Sequence, residues 1–153
     1  MDIISPADSQ TVSNDLINMK YVRQAAETLL GLLKYVVAEP DYAGAGVSWM
    51  SEDDFPAKIG TPYGDVVITF DCVRIEEATA GRFRFWRMSK EPDGEVVGTE
   101  CWNLVFNGDY RVVRLGSEQV ALNFGAGTRS EGVIYGIVAR MFYELQQGIP
   151  SVA

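Results

Sequence analysis

From Gly46 to Phe124 apolar and polar residues alternate along short runs, and turn-forming residues separate one run from the next. Alternation of period two puts successive side chains on opposite faces, which suits half-buried strands and is incompatible with an amphipathic helix. The runs are Val47–Met50, Asp65–Glu76, Arg82–Ser89, Glu95–Asn107, Tyr110–Leu115 and Gln119–Phe124. Ala80-Gly81, Pro92-Asp93-Gly94, Asn107-Gly108 and Gly116-Ser117 stand between them. Connections this short allow hairpins but no crossover, so the spacing predicts an antiparallel meander of about five to six strands. The polar stretch Ser51–Gly64 reads as a long loop. In Asp65–Glu76, Val66, Ile68, Phe70 and Cys72 share one face, Val67, Thr69 and Asp71 share the other, and a bulge is expected near Cys72.

Helical periodicity flanks this region on both sides. Val22, Ala25, Ala26, Leu29, Leu30, Leu33, Val36 and Val37 form one apolar stripe of a helix expected over Asn14–Ala38. Ser13 or Asn14 is its expected cap, and Pro40 forbids its continuation. A second helix is expected over Arg129–Gln147, with Val133, Ile134, Ile137, Val138, Met141, Phe142 and Leu145 facing inward. Thr128 and Glu131 have capping-box spacing at its start, and Gly148 with Pro150 supplies its stop. Helix, strands, helix in that order predict an α+β domain with both helices on one face of the sheet. Residues 14–148 form the single expected domain, 1–13 a flexible N-terminal segment and 149–153 a tail.

The chain has 153 residues, with 13 Lys+Arg against 21 Asp+Glu and no histidine. Its net charge of −8 opposes binding to duplex nucleic acid, which needs a surplus of Lys and Arg. Without His, the commonest general base and a common metal ligand are missing. There is no run of apolar residues long enough to span a bilayer and no signal-peptide pattern, so the expected place is the cytoplasm. Cys72 and Cys101 lie in apolar runs and are expected to be reduced core thiols, on strands either side of Arg82–Ser89.

Charge is divided unevenly. Residues 1–80 hold 13 acids and 5 bases, a net of −8, whereas 81–153 hold 8 of each. Glu52, Asp53 and Asp54 in the long loop, with Glu76 and Glu77 at the end of a strand, are the candidate contacts to a partner protein with a basic surface. The Glu52–Asp54 run lacks the alternating ligand spacing of a calcium loop, so neither metal nor cofactor is expected. A second candidate site would take a small anion or nucleotide. It consists of Gly125, Gly127, Thr128, Arg129 and Ser130 at a Gly-rich strand-to-helix turn, with Arg82, Arg84 and Trp86 from an Arg/aromatic strand. The plainer reading of those arginines is pairing across the sheet with Asp71 or Glu100.

Asp41-Tyr42-Ala43-Gly44-Ala45-Gly46 and Cys101-Trp102-Asn103-Leu104-Val105-Phe106-Asn107-Gly108 carry a faint resemblance to a family of small microbial domains. That family pairs a Tyr-Ala-Gly-x-Gly segment with a Trp-containing strand end and has no assigned function, so the resemblance implies no mechanism. The expected function is therefore a non-catalytic, acidic protein-binding module, acting as an inhibitor (for instance phage-encoded or bacterial), a chaperone or an immunity-type protein. The anion binder is the alternative, and a small enzyme using carboxylate chemistry is the third reading. A homodimer through an open sheet edge or through the small-residue strip Gly132, Gly136 and Ala139 is also expected.

Overall fold

The computed structural model describes residues 3–52, 55–126 and 130–152. A long helix α1 (Pro6–Val37) leads through a short α2 (Pro40–Gly44) into seven strands, and α3 (Ser130–Gln147) closes the chain. The strands are β1 (Ser48–Trp49), β2 (Ala57–Gly60), β3 (Val66–Ile75), β4 (Ala78–Lys90), β5 (Val96–Phe106), β6 (Arg111–Leu115) and β7 (Glu118–Asn123). They form one curled antiparallel sheet in sequence order, the expected meander with one strand more. The extra strand is β2, inside the stretch read as loop. Its Ala57 and Ile59 are fully buried and pair with Ile68 and Val66, so four residues suffice once a neighbour supplies the ladder.

α1 begins at Pro6 rather than Asn14. Ser5 caps it, its Oγ accepting from the Asp8 backbone N–H at 3.1 Å, and Pro6 takes the first position, where no N–H is needed. The expected apolar stripe is fully buried from Val22 onward, while Val12, Leu16 and Ile17 on the first turns stay exposed. That first half is held by polar contacts instead: Asn18 Nδ2 donates to the Thr79 carbonyl at 2.8 Å, and Asp15 lies 3.8 Å from Arg74.

Both helices cover one face of the sheet. Phe55, Phe70, Phe83, Phe106 and Phe124 form the aromatic centre beneath them, with Phe83 and Phe106 rings 4.9 Å apart. The β3–β4 register pairs Phe70 with Phe83 and Asp71 with Arg82, which places aromatics and arginines on opposite faces as alternation requires. β3 pairs with β4 without a register shift, so no bulge lies near Cys72. The shifts fall at Phe85/Trp86, Val105/Phe106 and Val112/Arg114 instead.

Two further expectations are corrected. The turn before the Arg82 strand is Glu76-Glu77, with Glu76 in the left-handed region at φ 57°, and Ala80-Gly81 lies within β4. Cys72 is exposed beside Met19 of α1, beyond the described β2–β3 pairing, which reaches Ile68. Cys101 is partly buried on β5, its Sγ donating to the Phe85 carbonyl at 3.3 Å, and burial pushes its thiol pKa up. The two thiols are free and flank β4, two strand spacings apart in the expected order. Among the described residues no helix is long and apolar enough to cross a membrane.

Candidate functional site

Hairpin turns alternate between the two ends of a meander, so the β1–β2 and β3–β4 connections emerge at the same end. Glu52 is exposed in the first of these, and Glu76 and Glu77 form the second. They are staggered along the strands. Phe55, beside the acidic loop, packs on Phe70, and the chain runs on for roughly 20 Å beyond Phe70 before reaching Glu76. Arg74 reaches back toward that turn, its Nη2 donating to the Glu77 carbonyl at 3.4 Å. Asp53 and Asp54 lie outside the described residues.

The arginine strand is placed on the bare face of the sheet. Arg82 binds Asp71 through two parallel bonds, Nε to Oδ1 at 2.9 Å and Nη2 to Oδ2 at 2.5 Å. Arg84 donates to Glu100 Oε2 at 2.7 Å, and Asn103 Nδ2 donates to Oε1 of the same carboxylate at 3.3 Å. The Arg84 guanidinium lies 4.5 Å from the centre of the Trp86 ring, whose Nε1 donates to Thr69 Oγ1 at 2.9 Å. These are the cross-strand partners that the plainer reading named, and each ion pair is partly solvated. The arginines are thus occupied by the sheet's own carboxylates.

Gly125 begins the passage to α3 on the helix side, away from that network. Its N–H is taken by Asn123 Oδ1 at 2.8 Å and is therefore not directed at an outside anion. Gly127, Thr128 and Arg129 lie outside the described residues, as does the side chain of Ser130; the capping box falls there too. Arg82, Arg84 and Trp86 are not brought to Gly125.

The Arg84–Glu100 pair has a pH consequence. The Arg84 hydrogen bond holds the Glu100 carboxyl below its ordinary range, and Asn103 and Arg82 act in the same direction. A carboxylate depressed in the folded state stabilises the protein above its unfolded pKa, and that contribution fades as pH falls through the folded value. With no histidine to titrate, stability should be flat between about pH 6 and 8 and decline below about pH 4.5. The difference in urea midpoint between wild type and Glu100→Gln should be largest at pH 7 and shrink as pH falls through the folded Glu100 value; a difference that stays constant would refute the pairing.

Another recess lies elsewhere and includes residues outside both candidate sites. A groove of about 730 Å³ runs between α3 and the end of the sheet, with Leu115 and Leu122 from β6 and β7 on one side and Val133 and Ile137 from α3 on the other. Gly132, Gly136 and Ala139 widen it, and no atom lies within 4 Å of a Cβ built on either glycine. Arg140 stands at its rim, bonded through Nε to Glu144 at 2.9 Å and 3.8 Å from Glu118. The available signal was the Gly132/Gly136 spacing, which alone does not reveal that sheet side chains face it. A smaller recess of about 240 Å³ on the bare face is lined by Val73, Ile75, Arg82, Asn103, Val105 and Arg114. Compared with protein families, curated proteins and solved structures, the chain matches none, so the faint resemblance in its Tyr42 and Trp102 segments stands without support.

Proposed function

We propose that the protein acts by binding another protein, one that presents a basic surface, and does so without catalysing a reaction. The observation that carries this reading is the open groove between α3 and the β6–β7 end of the sheet. It is walled mainly by apolar side chains, and Arg140, the charged residue at its rim, is paired with Glu144 and close to Glu118. A reaction pocket usually gathers several convergent polar groups; here the carboxylates best placed on the sheet, Asp71 and Glu100, are engaged by Arg82 and Arg84. The net charge of −8 adds a long-range attraction for a basic partner. Inhibition, chaperoning and immunity-type sequestration all work this way.

Complexes recovered from cells that carry this gene should show affinity that weakens as salt rises. Replacing the acidic loop (Glu52→Gln, Asp53→Asn, Asp54→Asn) should slow association several-fold and flatten the salt dependence, while the melting temperature changes little. Affinity independent of salt would refute the charge-guided partner. Loss of binding on Arg129→Ala with no effect of the loop change would instead favour the anion site.

A further inference from the structure

The face of the sheet that carries no helix is itself partly closed. Ala80 and Val105 point to that face, outside the core cluster beneath the helices, yet they are only 3% and 6% exposed. A recess of about 260 Å³ there is lined by Ile75 and Glu76, at the end of β3, together with Val113, Arg114, Gln119 and Val120 of β6 and β7. A flat sheet would hold β3 and β6 about 14 Å apart, so side chains from both can border one small recess only where the sheet curls inward. The recess of about 240 Å³ described above adjoins it and shares Ile75 and Arg114. Together they make a hollow with an apolar floor on the side away from α3.

Charge selects what this hollow takes. Register puts Arg82 and Arg114 on either side of Val105 in one cross-strand row, roughly 10 Å apart at the backbone. The charged side chains bordering the smaller recess are Arg74, Arg82 and Arg114, all cations. Arg82 is held by Asp71, and Arg74 by Asp15 and the Glu77 carbonyl. Arg114 is half-buried and makes no ion pair and no side-chain hydrogen bond among the described residues. Its guanidinium is the open half of a charge-assisted pair. We propose that the hollow binds a small organic anion, one acid group joined to an apolar body. Arg114, beside Arg82, receives the acid group, and Val73, Ile75 and Val105 receive the body. Glu76 borders the far recess and repels a second negative charge, so the other end of the ligand is uncharged. The site does not depend on the protein-binding reading, which uses the opposite face.

The test titrates the intact protein with octanoate and, as a matched neutral probe, 1-octanol. Octanoate should move the methyl resonances of Val73, Ile75 and Val105 and leave those of Leu122 and Ile137, beside α3, in place. Octanol should bind at these methyls at least ten-fold more weakly, the scale of a lost hydrogen bond to a charged group. Arg114→Gln should weaken octanoate binding by a similar factor with little change in melting temperature, because the arginine has no ion-pair partner in the fold to lose. Arg114→Lys, which keeps the charge without the planar fork, should fall between wild type and Arg114→Gln. Equal binding of the two probes to the wild type overturns the proposal. So does movement confined to Leu122 and Ile137, or no movement at about 1 mM octanoate. Undiminished binding by Arg114→Gln overturns it as well; should that variant fold poorly, the probe pair on the wild-type protein decides alone.

Discussion

Phe83→Ala is expected to cost about 3–5 kcal/mol of folding stability, the scale for removing a fully buried aromatic ring. Phe83 has no solvent exposure and stands at the junction of three other rings: Phe55 at 5.3 Å, Phe70 edge-on at 6.2 Å and Phe106 at 4.9 Å. Removing it forfeits its own burial and three aromatic contacts, and the space left is too enclosed to collapse fully. For a chain of this size the melting temperature should fall by roughly 10–15 °C. Phe83→Leu, which keeps most of the apolar volume, should lose less than half as much. Equal losses for the two variants would show that ring packing is unimportant at this site.

Gly81→Ala should destabilise by about 2–3 kcal/mol, although on an unconstrained strand alanine would ordinarily be the better residue. The cause is steric. A Cβ at Gly81 would lie 2.5 Å from Phe106 Cζ and 2.9 Å from Phe70 Cε2, inside the contact distance of rings that are themselves packed. β4 therefore needs a residue without a side chain where Phe106 of β5 crosses its partner position. Shortening the ring should relieve the clash, so Gly81→Ala should cost less in a Phe106→Leu background than in the wild type. Denaturation of the two single variants and the double variant measures that coupling; strict additivity would refute the contact.

These two residues also show where sequence reasoning reached its limit. Alternation alone puts Phe83 and Phe85 on one face and Arg82, Arg84 and Trp86 on the other, since period two leaves a strand no freedom about which neighbours share a side. Gly81 was read as a turn because glycine usually marks one. Its actual reason, a ring arriving from β5, depends on a residue 25 positions later in the chain.

Local patterning also determined the two long helices, since a stripe of apolar residues at helical spacing can be buried only as a helix, and the meander, since short connections admit no other pairing. Other features depended on long-range contacts. β2 exists because β3 offers Ala57 and Ile59 a paired and buried position; the four residues alone are too few to signal it. The start of α1 at Pro6 rests on a single capping oxygen, and the contacts along Asp15 and Asn18 come from residues on β3 and β4. Neutralisation of Arg82 and Arg84 was legible as a register argument, because opposite charges on neighbouring strands of a meander fall side by side. The groove was not. Its walls are α3 and the side chains Leu115 and Leu122 of β6 and β7, which meet only after the sheet has assembled and the helix has packed on it.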